Sequence, residues 1–85
     1  METKYPPHWE PTVEAVIDEL KWATLKHPTG MRSAHEGFAV LKEEVDELWE
    51  VVKQRHRSNQ ALFAEAKQVA AMALRFCIEA ANGGT

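Results

Sequence analysis

The fold is decided by residues 33–57, which read SAHEGFAVLKEEVDELWEVVKQRHR. Ser33 and Glu36 form the capping-box pattern that often begins an α-helix. The apolar residues that follow recur every three or four positions: Ala34, Phe38, Leu41, Val45, Leu48 and Val52. This spacing is typical of a helix face that packs against a neighbour. The sequence therefore predicts a long helix over 33–57, whose basic C-terminal end suits the helix dipole.

A first helix is predicted over residues 10–27. Pro11 suits a first helical turn, because its missing N–H group has no partner there in any case. The apolar residues again follow helical spacing: Val13, Val16, Ile17, Leu20 and Ala23. The helix should end before Pro28. Residues 1–9 are predicted to form an N-terminal arm.

A third helix is predicted over residues 59–81, with Ser58 or Asn59 as its N-cap and Asn82-Gly83 as its stop signal. This helix is apolar almost all round, and three helices of this size cannot cover such a surface alone. We therefore expect an all-α fold. A three-helix antiparallel unit would complete a core like that of a four-helix bundle by homo-oligomerisation, as a dimer or a tetramer.

Composition limits the classes of protein to consider. The chain has 85 residues, enough for a single domain over 1–85. Its 13 Asp and Glu residues outnumber its 10 Lys and Arg residues, and the net charge of -3 argues against nucleic acid as a partner. The single cysteine, Cys77, excludes an internal disulfide, and no apolar run approaches the roughly 20 residues of a membrane span. A cytoplasmic protein with no membrane partner is expected.

The second helix carries an unusual density of acidic residues, namely Glu43, Glu44, Asp46, Glu47 and Glu50. Helical geometry places Glu44 and Glu47 on one strip beside the apolar face. In the third helix, Glu65 and Gln68 occupy the corresponding strip. Two such helices packed antiparallel would bring these four side chains to one site, where oxygen ligands suit Mg²⁺ or Mn²⁺.

Two other interpretations of these acids remain open. An acid-rich helix is most often a face exposed to water. Glu65 lies in an apolar stretch and is costly to bury without a cation, but it can also lie on an exposed stripe or form a salt bridge with Lys67 or Arg75.

Two short motifs resemble those of the MazG-like all-α nucleotide pyrophosphohydrolases. Residues 43–48, EEVDEL, match the E-E-x-x-E signature of one helix in that family, and residues 65–73, EAKQVAAMA, resemble the E-x-x-D motif and its alanine-rich continuation. The resemblance covers residues 35–78. It implies an oligomeric helical enzyme that uses Mg²⁺ to cleave a nucleoside triphosphate into a monophosphate and pyrophosphate.

The resemblance also implies roles for individual residues. Glu44, Glu47 and Glu65 would be metal ligands, and Glu43 would be a further ligand or the catalytic group that orients the attacking water. Gln68 stands where the family has aspartate, so it offers the metal a neutral carbonyl oxygen and no charge. The affinity of the site for a divalent ion should therefore be lower than in the family.

Residues near the first loop are candidates for substrate binding. Trp22 is the aromatic residue best placed to stack on a nucleobase, and Lys21 and Arg32 have the charge to meet phosphates, although packing and solvation explain such residues more often. The enzyme hypothesis has two alternatives. One is a weak or inactive helical module that binds a nucleotide or a protein partner, and the other is an oligomeric interaction protein with no small-molecule site.

Overall fold

The computed structural model describes residues 8–83, which form three α-helices and no strand. Helix α1 covers Trp9–Lys26, α2 covers Ala34–Val52 and α3 covers Asn59–Ala81. The predicted all-α class is confirmed. The predicted N-terminal arm lies outside the described residues except for His8 and Trp9. No helix in the described range is both long and apolar enough to cross a membrane.

The predicted capping residues begin the second and third helices. The Ser33 hydroxyl accepts a hydrogen bond from the Glu36 N–H group at 3.1 Å, and the Ser58 hydroxyl accepts one from the Ala61 N–H group at 3.0 Å. Each bond satisfies a backbone donor that has no partner within the helix. After α3, Gly83 has a φ of 72°, the left-handed conformation that commonly stops a helix.

Helix α2 ends at Val52 and does not continue to Arg57 as its sequence predicted. The Gln54 N–H group donates to the Val51 carbonyl at 3.0 Å, which tightens the chain into a turn. The Arg57 guanidinium folds back and donates to the carbonyls of Val52 and Gln54, at 3.3 and 3.4 Å. Because these carbonyls find a partner in Arg57, this residue caps the end of the helix instead of extending its last turn.

Helix α3 lies between the other two helices. Gly37, early in α2, lies beside Phe76, late in α3, whereas Glu47, late in α2, lies beside Glu65, early in α3. Helices α2 and α3 are therefore antiparallel, as predicted.

Helix α1 packs on α3 and runs parallel to it. Glu19 pairs with Lys67, and His27, further along, contacts Arg75, further along α3. Among the described residues, α1 and α2 each pack against α3 and not against each other. This arrangement leaves an open groove between α1 and α2, with α3 as its floor.

The core of the described range is very small, since Ala71 and Met72 are its only buried apolar side chains. Three of the six residues on the predicted apolar face of α2 are exposed to solvent. They are Ala34, Phe38 at 59% and Val45 at 44%. Trp49 follows on the same side of the helix at 55%. The side of α2 that carries Phe38, Val45 and Trp49 therefore has no neighbour among residues 8–83 of the single chain.

Gly37 is required by the close approach of α2 to α3. An added Cβ would lie 3.0 Å from the Phe76 ring and would overlap the Met31 sulfur. Alanine normally stabilises a helix interior by about 1 kcal/mol relative to glycine. We expect Gly37→Ala to reverse that sign and cost about 1 to 3 kcal/mol of folding free energy through overpacking, as measured by urea denaturation. A variant more stable than wild type would show that α2 and α3 can move apart at this point without a cost in folding free energy.

Candidate functional site

Three carboxylates converge where α2 lies against α3. Glu44 and Glu47 are one helical turn apart on α2, and Glu65 reaches them from the first half of α3. One carboxylate oxygen from each residue lies within 4.8 Å of the other two. Glu44 and Glu65 are half-buried and Glu47 is exposed. We refer to these three residues as the carboxylate cluster.

The carboxylate cluster has no basic partner among residues 8–83. Lys67 instead forms a salt bridge with Glu19 at 3.7 Å. The Arg75 guanidinium donates hydrogen bonds to backbone carbonyls of the loop between α1 and α2. Neither cation that the sequence offered to Glu65 is therefore paired with it, and the mutual repulsion of the three carboxylates is not relieved by a salt bridge in this range.

The surroundings of Glu44 favour its protonated form. Burial raises the pKa of Glu44 above its ordinary value of 4.5, because the charged form loses water. The Glu47 carboxylate raises it further, both by its charge and through a hydrogen bond that Glu44 can donate only when protonated. The charges of Glu65 and Glu43 act in the same direction. A cation at this position would remove the penalty on the ionised form.

The donor set of the carboxylate cluster fits a hard divalent cation. All three side chains offer carboxylate oxygens, which Mg²⁺ and Mn²⁺ prefer over nitrogen or sulfur ligands. The spacing allows one ion to contact more than one carboxylate. The predicted convergence of Glu44, Glu47 and Glu65 is present in the structure. If a divalent ion binds here, these three residues would hold it.

The groove between α1 and α2 has a volume of about 1120 Å³. That volume accommodates a ligand as large as a nucleotide. Its lining is acidic near the carboxylate cluster, basic near the first loop and partly apolar between them. The lining residues include Glu19, Trp22, Lys26, Arg32, Val40, Glu43, Glu44, Gln68, Met72, Arg75 and Phe76.

Most of the other predicted site residues also line the groove. Glu43 and Gln68 line it beside Glu44, while Trp22 and Arg32 line it on the side of α1 and the first loop. Lys21 is exposed on α1 and is not part of the lining. Four of these five residues therefore face one concave surface, and Lys21 does not.

Glu19 and Arg75 are among the groove residues that were not predicted as site residues. Glu19 lines the groove and pairs with Lys67, and Arg75 lines it while it holds the first loop. Each lies on a polar strip beside an apolar helix face, a position that the spacing of the residues reveals. Their partners lie in distant segments of the chain, so helical periodicity alone did not identify them.

The pKa shift of Glu44 predicts a pH dependence of stability. A raised pKa in the folded state means that Glu44 favours folding fully below pH 4.5 and loses this contribution as the pH rises through its folded pKa. In metal-free buffer at pH 7, we expect Glu44→Gln to melt about 2 °C higher than wild type, since it removes like-charge repulsion.

Thermal unfolding in EDTA between pH 4 and pH 8 measures this effect. The advantage of Glu44→Gln should shrink as the pH falls toward 4.5. Glu50→Gln is the matched control, because Glu50 is an exposed residue of the same helix that pairs with Lys53 at 2.9 Å. An equal rise in melting temperature in both variants would show that the effect comes from removing any negative charge from α2, and not from relieving repulsion within the carboxylate cluster.

No family model, curated protein or solved structure matches this chain.

Proposed function

We propose that this protein is a Mg²⁺-dependent nucleoside triphosphate pyrophosphohydrolase of the MazG-like all-α type. The observation that carries the proposal is the convergence of Glu44, Glu47 and Glu65 from two helices, with carboxylate oxygens within 4.8 Å of one another at the edge of a groove of nucleotide size. The products would be pyrophosphate and a nucleoside monophosphate.

The carboxylate cluster would supply the metal site. A divalent ion held there by Glu44, Glu47 and Glu65, with Mg²⁺ favoured and Mn²⁺ able to replace it, would neutralise phosphate charge and make water a better nucleophile. Glu43 lines the groove beside this site, which suits a carboxylate that accepts a hydrogen bond from the attacking water and orients it. Gln68 would contribute a neutral oxygen.

The remainder of the groove would bind the nucleotide. Trp22 lines the groove and is 70% exposed, so its ring is available to stack on a base. Arg32 is also in the lining, and its side chain is 90% exposed. Its Nε atom lies 4.0 Å from the Glu36 carboxylate, a weak surface contact that a phosphate would replace. Lys21 lies outside the lining and would act only on a ligand that extends beyond the groove.

The proposed enzyme is a cytoplasmic homo-oligomer that does not bind nucleic acid or a membrane. Helical spacing places Phe38, Val45 and Trp49 on the side of α2 away from the groove, and none of the three lines it. A second copy that covered this side would complete a bundle-like core, as a dimer or within a tetramer. The net charge of -3 supports the absence of nucleic acid.

A chromatographic screen tests the proposal. Canonical and modified nucleoside triphosphates are incubated with Mg²⁺ or Mn²⁺, and pyrophosphate and monophosphate are quantified. We expect metal-dependent release of both products from at least one nucleotide. The absence of turnover on the whole panel with both metals would refute the enzyme proposal.

Gln68 favours a second candidate, a related module that binds a nucleotide or a protein partner with little or no turnover. An amide in place of a carboxylate removes one negative charge from the groove beside Glu44, and divalent metal affinity depends on ligand charge. Ligand binding without product release would support this candidate. A protein that metal and nucleotide do not stabilise at all would instead be a helical interaction protein.

Gln68→Asp separates the two candidates. We expect this variant to bind Mn²⁺ about tenfold more tightly than wild type, since it adds a carboxylate ligand. Titration calorimetry measures the affinity, and the product assay is repeated on the variant. If turnover appears only in the variant, the wild-type chain is the binding module. Gln54→Asp, in the turn after α2, is the control for added charge, and an equal gain in affinity there would contradict a specific role for position 68.

A further inference from the structure

Arg75 attaches the loop between α1 and α2 to the central helix. Its Nη2 atom donates to the His27 carbonyl at 3.1 Å and to the Thr29 carbonyl at 2.7 Å. Because His27 ends α1, the guanidinium also satisfies a carbonyl at the negative end of that helix dipole. These are the only side-chain hydrogen bonds within residues 8–83 that join distant parts of the sequence.

The same loop packs directly against Glu79, one helical turn beyond Arg75. A Cβ added to Gly30 would lie 2.5 Å from Oε1 of Glu79 and 2.7 Å from Oε2. Because these atoms are the end of a flexible side chain, an added Cβ would only require the Glu79 carboxylate to move. The two hydrogen bonds from Arg75 are therefore the contacts that hold the loop to α3.

The position of the α1 wall of the groove depends on this attachment. Within the described residues α1 does not touch α2, so only α3 and the first loop hold it in place. The polar contacts are the Glu19–Lys67 salt bridge midway along α1 and the Arg75 hydrogen bonds at its end. Arg75 lies ten residues after Glu65, or roughly 15 Å along α3. It is therefore well separated from the α3 member of the carboxylate cluster.

We propose that Arg75 is a positioning residue for ligand binding in the groove. By holding the carbonyls of His27 and Thr29, it fixes the wall that carries Trp22 and the loop that carries Arg32, and so sets the width of the groove. Without Arg75 the loop would be less ordered, and the entropy lost when a ligand orders it would weaken binding. The chemistry at the distant carboxylates would not change. The inference rests on the proposed function for the identity of the ligand as a nucleotide.

Arg75→Met and Arg75→Lys test the inference. For the nucleotide turned over fastest in the screen, we expect Arg75→Met to raise KM at least about tenfold and to change kcat less than about threefold. Arg75→Lys keeps one donor group and should lie between Arg75→Met and wild type. Amide hydrogen exchange over residues 29–32 should be faster in Arg75→Met, whereas the affinity for Mn²⁺ alone should match that of wild type.

Two outcomes would overturn the inference. One is an unchanged KM in Arg75→Met, and the other is a loss of Mn²⁺ affinity in step with the rise in KM, which would indicate damage to the whole fold. If the wild-type protein turns over no nucleotide, the proposed function fails and the role of Arg75 in nucleotide binding fails with it. Amide exchange in Arg75→Met then still decides whether Arg75 holds the loop.

Discussion

Glu65→Gln should reduce Mg²⁺-dependent turnover at least about a hundredfold, and Glu44→Gln should have a similar effect. Glu65 is the only member of the carboxylate cluster supplied by α3, so its neutralisation leaves an ion with carboxylates from one helix alone. The amide is nearly isosteric with the carboxylate, so the packing of α2 against α3 should be preserved. The measurement is pyrophosphate release over a series of Mg²⁺ concentrations.

Glu50→Gln is the control for this experiment, since it removes the same charge from an exposed site on α2. A second measurement separates loss of metal from loss of fold: Mn²⁺ should raise the melting temperature of wild type and Glu50→Gln, and should leave Glu44→Gln and Glu65→Gln unchanged. Full activity in Glu65→Gln would show that the three carboxylates do not share a catalytic ion.

Local rules predicted the helices and the carboxylate cluster. The Ser33 and Ser58 caps depend on residues within three positions, so they are visible in the sequence and present in the structure. Glu44 and Glu47 share a strip because helical geometry alone places them there. Their approach to Glu65 needed one further assumption, an antiparallel α2–α3 pair, which a short connection between two helices favours.

Contacts between distant segments could not be predicted in this way. The early end of α2 depends on how the Arg57 guanidinium folds back onto free carbonyls, which periodicity does not report. Gly37 lies within the apolar pattern of α2, where a glycine indicates close packing. The sequence does not show what it packs against, because its neighbour Phe76 lies on α3. Arg75 was assigned to Glu65 as a possible partner, whereas it bonds to the first loop.

Under the homo-oligomer proposal, Val45→Lys should convert the protein from a folded oligomer to a largely unfolded monomer. Ala71 and Met72 are the only buried apolar side chains in the described range, so a single copy has a small core with which to offset the conformational entropy of its ordered residues. The proposal therefore couples folding to the burial of the Phe38, Val45 and Trp49 side of α2 against another copy. A lysine in the middle of this strip places a charge in the interface, and we expect the dissociation constant to rise at least about a thousandfold.

Light scattering coupled to gel filtration measures the mass, and circular dichroism measures the helix content of the same fractions. Leu25→Lys is the matched control, because Leu25 is also an exposed apolar residue, at 77%, but lies on the groove side of α1. That variant should remain oligomeric and helical. Lysine is a good helix former, so loss of helix in Val45→Lys alone would follow from lost association and not from local propensity. A Val45→Lys protein that stays helical as a monomer would mean that one copy folds alone, and the small core would then need a different explanation.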